Sequence, residues 1–188
     1  MANVSRCGWL KQNDPIYVAY HDKEWGKPLH DDRALFELFS LETQSAGLSW
    51  LTVLKKRDGY KKAFKDFDLF QVAQLDAHEI DAIMQTCDVI KSRAKLEAIV
   101  HNAKAFVLIQ KEFGSLNAYF WHYVDHAPIV NDVPDYKSAL CTSPISDAMT
   151  KDLKKRGFKF VGSTTLYAFM QACGMVNDHE NSCCCKHP

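Results

Sequence analysis

The sequence predicts an all-α fold, and three features lead to that prediction. Apolar residues recur at helical spacing, serine and aspartate stand where N-caps are expected, and no stretch alternates apolar and polar residues as a half-buried strand does. The 188 residues are 47% hydrophobic, which is enough to bury one core. We therefore expect a single domain over 1–188.

Local signals place the helices along the chain. Ser49, the pair Asp76 and Glu79, Ser143 and Ser163 are candidate N-caps, and Gly157 and Gly174 are candidate stops. Together with the apolar periodicity they predict helices at 31–41, 50–64, 76–86, 92–113, 116–124, 144–157 and 163–174. Two prolines and several Asp and Asn residues predict a loop over 125–143.

Composition limits the class of protein. The 23 basic and 23 acidic side chains cancel, which argues against a protein held on nucleic acid by bulk charge alone. No apolar run approaches the ~20 residues of a membrane span, and the N-terminus lacks the apolar core of a signal peptide. We expect a cytoplasmic chain without membrane contact, in which the seven cysteines are thiols or metal ligands.

The C-terminal tail holds half of a candidate metal site. His179 and Cys183 are four residues apart, so a helical turn would direct both side chains to one ion. Cys7 and His21 are the best candidates for the other half, since two cysteines and two histidines make a closed, structural zinc site. The alternative is a frayed tail without metal, and the run from Cys183 to Cys185 leaves the choice of ligand open.

The N-terminal quarter combines large aromatic residues with one carboxylate. Glu42 follows an apolar helix face, where burial costs several kcal/mol unless the carboxylate is paired or hydrogen-bonded. Electron-rich rings stack on a flat cation at ~0.5–2 kcal/mol per contact, and alkylation makes adenine such a cation. An ordinary aromatic core with Glu42 capping a backbone turn is the alternative. The aromatic residues are Trp9, Tyr17, Tyr20, Trp25 and Trp50.

The segment 81–95 fits two helices joined by a tight hairpin. In such hairpins, backbone N–H groups at the start of the second helix bind a phosphate, and Lys91, Arg93 and Lys95 would add positive charge. The usual glycine-rich turn is missing, and Asp88 stands where a left-handed glycine is expected. An ordinary helical turn is the alternative.

Taken together, these segments resemble one family, the bacterial 3-methyladenine DNA glycosylase I proteins. The similarity extends over almost the full chain in the family's order, so chance agreement is improbable. The matching stretches are RCGW (6–9), YHDKEWG (20–26), QSAGLSW (44–50), LKKRGFKFVG (153–162), FMQACG (169–174) and VNDH (176–179).

The resemblance implies a helix-hairpin-helix DNA glycosylase fold with a zinc-binding lobe formed by both termini. About 1–30 and 163–188 would pack around the zinc, and about 31–125 would carry the pocket acid and the hairpin. One structural Zn²⁺ ion would be bound by Cys7, His21, His179 and Cys183. The base pocket would contain Glu42 with Tyr17, Tyr20 and Trp50, and Trp9 and Trp25 nearby.

The implied activity is DNA repair by base excision. The enzyme would bind double-stranded DNA, flip out an alkylated base, and hydrolyse the N-glycosidic bond to release free 3-methyladenine and leave an abasic site. Glu42 is the expected catalytic residue, through base recognition and electrostatic support. No lysine stands out as a Schiff-base nucleophile, so we expect a monofunctional enzyme without lyase activity. We also expect a monomer. The competing function is a zinc-stabilised nucleic-acid-binding module without catalysis. A redox or metal-carrier protein would leave the aromatic residues unexplained.

Overall fold

The computed structural model describes residues 4–187, most of which are helical. The helices are α1 (Pro15–Lys23), α2 (Asp32–Gln44), α3 (Trp50–Leu54), α4 (Arg57–Ala63), α5 (Leu69–Ala73), α6 (Ala77–Thr86), α7 (Arg93–Phe113), α8 (Leu116–Trp121), α9 (Pro144–Lys155) and α10 (Ser163–Ala172). Short 3-10 helices lie at Lys65–Phe67, His122–Val124 and Tyr136–Ser138. The predicted mostly helical class is confirmed. Within 4–187, no helix combines the length and apolarity needed to cross a bilayer.

Side-chain caps start several helices where the sequence predicts them. The Asp76 carboxylate accepts a hydrogen bond from the Glu79 N–H at 2.9 Å, and the Glu79 carboxylate accepts one from the Asp76 N–H at 3.1 Å. This reciprocal pair is the predicted capping box of α6. Ser49 and Ser143 likewise accept from backbone N–H groups at the starts of α3 and α9. Local chemistry therefore fixes these boundaries.

The prediction of one helix over 50–64 is wrong, because the chain turns between α3 and α4. Lys55 is the C-cap residue of α3, and Lys56, with φ −102° and ψ 5°, is the N-cap residue of α4. The turn lets α4 bring Gly59 against the backbone of Asp88, where a Cβ on Gly59 would lie 2.0 Å from the Asp88 carbonyl oxygen. Tertiary packing against the 87–92 turn therefore overrides the local helical pattern.

Three smaller predictions are also wrong. Gly162, and not Ser163, is the N-cap of α10, since the Ser163 hydroxyl lies 2.7 Å from that of Ser146. Asp88 is not in the left-handed region, so the 87–92 turn follows a different route from a glycine-based hairpin. The predicted absence of strands fails at β1 (Ile129–Val130), which pairs in parallel with β2 (Val176–Asn177).

Helix α2 runs through the interior, which determines where its polar residues lie. Every residue from Leu35 to Gln44 is buried. The Phe39 ring packs edge-on against Phe106 of α7, with ring centroids 4.8 Å apart. Because the whole second half of α2 is enclosed, Glu42 is carried into the interior as well.

The two ends of the described chain pack on each other. The Gly26 N–H donates to the Gln171 carbonyl at 3.1 Å, and the Leu29 N–H donates to the Cys173 carbonyl at 3.0 Å. The Cys184 N–H donates to the Ser5 carbonyl at 2.9 Å. These bonds place the segment that follows α1 beside the end of α10, and the start of the described chain beside the C-terminal tail.

Gly174→Ala should destabilise the fold far more than Gly114→Ala. Both glycines have positive φ, +74° and +87°, but only at Gly174 would a Cβ lie 2.2 Å from the backbone of Lys27. We expect a loss of about 1 kcal/mol for Gly114→Ala and at least roughly 3 kcal/mol for Gly174→Ala, measured by urea unfolding. Equal losses would show that the packing of the termini contributes little to stability.

Candidate active site and metal cluster

A cavity of about 430 Å³ opens beside α1, the end of α2, the start of α3 and α10. All six residues predicted for the base pocket line it: Trp9, Tyr17, Tyr20, Trp25, Glu42 and Trp50. The remaining lining residues are Ser45, Leu48, Tyr136, Ala139, Leu140, Cys141, Ala168, Gln171 and Asp178, and residue-level reasoning missed them. The segment 136–141 therefore belongs to the pocket wall, although the sequence left the 125–143 loop without a role.

The aromatic residues form a connected wall. Trp9 packs edge-on against Trp25 with ring centroids 5.0 Å apart, and lies 5.2 Å from Tyr17. Tyr20 and Trp50 lie 5.4 Å apart at 46°. The Trp50 indole Nε1 is buried and has no hydrogen-bond partner among residues 4–187. This atom is enclosed by the protein, so the contribution of Trp50 to the cavity is its ring and not this donor.

Glu42 is the acidic group of this wall. Its side chain is 6% exposed and forms no ion pair within the described part of the chain. Burial raises the pKa of Glu42 to about 8, and a hydrogen bond from Ser45 opposes that rise without cancelling it. The carboxyl group is therefore protonated at neutral pH in the free protein, and a cation nearby would favour its ionised form.

The phenols of Tyr17 and Tyr20 remain neutral. Burial, and then the Glu42 charge, raise the pKa of both side chains above the ordinary value for tyrosine. A neutral phenol keeps its O–H as a hydrogen-bond donor and its ring as an electron-rich face. The wall therefore offers stacking surfaces, two hydroxyls and one carboxyl group.

Asp178 and Gln171 form a second polar group at the cavity. Asp178 is 3% exposed and accepts hydrogen bonds from Asn131 Nδ2 at 2.7 Å, the Tyr167 hydroxyl at 2.8 Å and Gln171 Nε2 at 2.7 Å. Three donors compensate this carboxylate, which distinguishes it from Glu42. Only the family-like stretches 169–174 and 176–179 could have pointed to these two residues from the sequence.

Four side chains, two from each end of the chain, meet beside the cavity. The ligand atoms of Cys7, His21, His179 and Cys183 are buried and all lie within 4.8 Å of one another. Cys7 Sγ is 3.4 Å from His179 Nδ1, and Cys183 Sγ is 3.6 Å from His21 Nε2. His179 and Cys183 stand on either side of a turn at 181–182 and not on a helix, yet Cys183 Sγ is 3.5 Å from His179 Nδ1.

This cluster fits a tetrahedral metal ion. Zn–S and Zn–N bond lengths of about 2.3 and 2.0 Å imply ligand–ligand separations of about 3.3–3.8 Å, which agree with the distances found. The amide N–H groups of Glu180 and Cys185 donate to Cys7 Sγ and Cys183 Sγ, both at 3.4 Å. Two thiolates would also neutralise a divalent cation in this buried position.

Outer hydrogen bonds hold both imidazoles. His21 Nδ1 is bonded to Asp22 at 2.8 Å, and His179 Nε2 is bonded to the Trp25 carbonyl at 3.1 Å. These contacts leave the other ring nitrogen of each histidine directed at the cluster. Hydrogen bonds from Arg6 lower the pKa of Asp22 to about 2. Since Trp25 lines the cavity and its carbonyl holds His179, the cluster and the pocket share this segment.

The predicted DNA-contacting basic residues lie around the 87–92 turn, with their charges partly engaged. Lys91 Nζ donates to the Cys87 carbonyl at 2.5 Å, and Arg93 forms ion pairs with Asp81 and Glu97. Lys95 Nζ donates to the carbonyls of Gln44 at 2.8 Å and Ala46 at 2.6 Å. Lys95 therefore caps the end of α2 and connects this turn to the pocket.

The family model described as Methyladenine glycosylase matches residues 9–187. The chain belongs to the methyladenine glycosylase family. The match includes the lining of the cavity and three members of the cluster, while Cys7 lies just before it. The resemblance identified from the sequence is confirmed.

Relatives of this methyladenine glycosylase are similar along nearly their whole length. A DNA-3-methyladenine glycosylase of Haemophilus influenzae is 53% identical over 183 residues, which cover 97% of this chain and 98% of the relative. DNA-3-methyladenine glycosylase 1 of Escherichia coli is 46% identical over 182 residues, which cover 97% of each.

Solved methyladenine glycosylase structures share this fold. A crystal structure of a 3-methyladenine DNA glycosylase I has a TM-score of 0.93 at 46% identity, covering 98% of this chain and 100% of the other. The Staphylococcus aureus enzyme, described in terms of 3-methyladenine recognition, has a TM-score of 0.94 at 39% identity over 97% of both chains. A tyrosine-to-phenylalanine variant of a 3-methyladenine DNA glycosylase I, in complex with 3-methyladenine, has a TM-score of 0.93 at 39% identity, covering 97% of this chain and 98% of the other.

Glu42→Gln should stabilise this methyladenine glycosylase increasingly as pH rises. The pKa of about 8 in the folded protein exceeds 4.5, the ordinary pKa of glutamate in an unfolded chain, so unfolding releases a proton between these pH values. The wild-type protein therefore loses stability from about pH 4.5 to about pH 8, and the loss levels off above that. The variant lacks this dependence, so its advantage should grow to roughly 3–5 kcal/mol.

The measurement is urea unfolding of both proteins from pH 5 to 9. Titration of the cluster affects both proteins and cancels in the difference between them. A difference that does not change with pH would show that the Glu42 carboxyl group is well solvated or paired.

Proposed function

We propose that this chain is a DNA repair enzyme that hydrolyses the N-glycosidic bond of 3-methyladenine in alkylated DNA. The products are the free base and an abasic site. The observation that carries the proposal is a buried carboxyl group, Glu42, in an aromatic-walled cavity and without a cationic partner among the described residues. The names of the relatives and the complex of a related enzyme with 3-methyladenine support the same function.

Recognition follows from the charge of the alkylated base. The base must leave the duplex to enter the cavity, and a damaged, poorly paired base does so at lower cost. Once there, a flat cation stacks on the rings of Trp50 and its neighbours and favours ionisation of Glu42. Neutral adenine receives neither of these benefits, so the pocket selects for the charge that alkylation adds.

The same charge makes the base a good leaving group. Cleavage of the bond between C1′ and N9 returns an electron pair to a positive ring, so the base leaves as a neutral molecule. Water adds to C1′ and releases its proton. We assign to Glu42 recognition of the base and electrostatic support of this step. No lysine lines the cavity in the described part of the chain, which supports a monofunctional enzyme without a Schiff base.

We assign one structural zinc ion to Cys7, His21, His179 and Cys183. A closed set of four protein ligands leaves no position for water, so the ion would cross-link 1–30 to 163–188 and not act on the substrate. Such a cross-link closes a loop of nearly the whole chain, where chain-entropy arguments predict a large stabilisation. It would also hold Trp25 at the cavity through His179.

The DNA partner is proposed to be duplex DNA bound by the protein as a monomer. In this proposal, 31–125 carries the pocket acid and a helix-hairpin-helix element, α6 and α7 with the turn between them. Backbone N–H groups at the start of α7, with Lys91, Arg93 and Lys95 nearby, would contact phosphates. Ser92 makes no side-chain capping bond there, which leaves N–H groups available to a phosphate.

Glu42→Gln and Trp50→Ala should each abolish most release of 3-methyladenine from methylated DNA. Glu37→Gln is the matched control, because Glu37 is buried on the same helix but pairs with Arg57 away from the cavity. We expect at least a roughly 100-fold loss of rate for the pocket variants, in line with the removal of a transition-state contact, and near-normal release for the control. Chromatography of the released base measures this, and near-normal rates in both folded pocket variants would rule out the assignment.

The purified protein should contain about one zinc ion per chain. Cys183→Ser should lose most of the metal and unfold at lower urea concentration, because one of four ligands is removed. Cys184→Ser is the control, since this exposed neighbour lies outside the four-residue cluster and should keep the metal. Elemental analysis gives the metal content, and a folded, active, metal-free preparation would contradict the zinc assignment.

A further inference from the structure

Gln171 lines the cavity, and the proposed function gives its side chain no role. It lies on α10, one turn after Ala168, which also lines the cavity. Its Nε2 donates to Asp178 Oδ2 at 2.7 Å. A carboxylate only accepts hydrogen bonds, so the amide nitrogen has to be the atom that faces Asp178.

The amide oxygen of Gln171 is left as a free acceptor. It makes no hydrogen bond to residues 4–187 and is not among the enclosed, unpaired polar atoms, so it is accessible to solvent, and its residue lines the cavity. Rotation of the amide by 180° would set Gln171 Oε1 against Asp178 Oδ2, and two acceptors repel each other. The orientation is therefore fixed, and the cavity always meets an acceptor at this position.

Asp178 is itself held in place from the 125–143 loop. Asn131 Nδ2 donates to Asp178 Oδ1 at 2.7 Å, and the Asn131 N–H donates to the Asn177 carbonyl at 3.2 Å beside the β1–β2 pair. The Tyr167 hydroxyl donates to Asp178 Oδ2 at 2.8 Å. The loop thus acts on the cavity indirectly, through Asp178 and then Gln171.

A fixed acceptor distinguishes the two purines at their 6-position. Adenine carries an amine there, which donates hydrogen bonds, whereas guanine carries a carbonyl, which accepts them. A freely rotating glutamine would serve either base, but the orientation imposed by Asp178 serves only the amine. Leaving a buried polar group unpaired is costly, so such a site can discriminate strongly.

We propose that Gln171 is a specificity-determining residue whose Oε1 accepts a hydrogen bond from the exocyclic amine of the flipped base. Asp178 is the positioning residue that fixes the amide for this role. The inference rests on the proposed function of the same cavity and adds a selection for adenine over guanine to the selection for positive charge.

The test compares two free bases, 3-methyladenine and 3-methylpurine, which has the same methylated ring without the amine. Each is titrated by NMR into the full-length wild-type protein and Gln171→Met, a variant of similar size without the amide. We expect Gln171→Met to weaken 3-methyladenine binding roughly 5- to 150-fold. Binding of 3-methylpurine should change by less than about 2-fold, because no hydrogen bond is lost.

Tyr167→Phe is the matched control for a merely structural role. It removes one of the three donors to Asp178 and leaves the hydrogen bonds from Asn131 and Gln171, which keep the carboxylate in place. Tyr167 itself does not line the cavity. We expect it to lower stability without changing the ratio of the two affinities. Gln171→Leu provides a second variant if Gln171→Met folds poorly. In the wild-type protein, the Gln171 side-chain amide resonances should shift more with 3-methyladenine than with 3-methylpurine.

Three results would overturn the inference. The Gln171 variants could weaken the binding of both bases equally, they could weaken the binding of neither, or Tyr167→Phe could show the same selective loss of 3-methyladenine binding. Equal shifts of the Gln171 amide resonances with both bases would overturn it as well. Base release from methylated DNA separates this failure from that of the proposed function. If the wild-type protein releases no 3-methyladenine, the proposed function is wrong. If release is normal but the Gln171 variants affect the binding of both bases equally, only the inference about Gln171 is wrong.

Discussion

The burial of an uncompensated carboxyl group is the constraint on which the site depends. Glu42 is carried into the interior because α2 is enclosed over its whole second half, and within 4–187 no cation lies there to neutralise it. The protein tolerates this by keeping the group protonated, as its pKa of about 8 requires. The site therefore favours a positively charged base over a neutral one.

Helix α1 and the residues just after it connect the pocket to the cysteine–histidine cluster. Tyr20 lines the cavity and the adjacent His21 points to the cluster, while the Trp25 carbonyl is bonded to His179. Packing of the two chain ends therefore defines one wall of the pocket. Through this contact, an ion bound at the cluster would influence the position of the aromatic rings without an open coordination position.

A second connection runs from the pocket to the 87–92 turn. The Ile90 N–H donates to the Tyr60 hydroxyl at 3.2 Å, and that hydroxyl donates to Gln44 Oε1 at 3.1 Å. Gln44 Nε2 in turn donates to the Lys95 carbonyl at 2.9 Å. Gln44 and Tyr60 are fully buried, so these bonds fix the turn relative to the end of α2 two residues after Glu42.

The sequence by itself determined the helical class, the capping box of Asp76 and Glu79, and a candidate list that includes Glu42 and the four cluster residues. The helical class and the capping box follow from local rules, because caps and periodicity act over a few positions. The full candidate list came from the resemblance of the sequence to its family. Tertiary structure decided the break between α3 and α4, where Gly59 meets Asp88, and the roles of Gln171 and Asp178. Those depend on contacts between segments far apart in the chain, for which local sequence carries no signal.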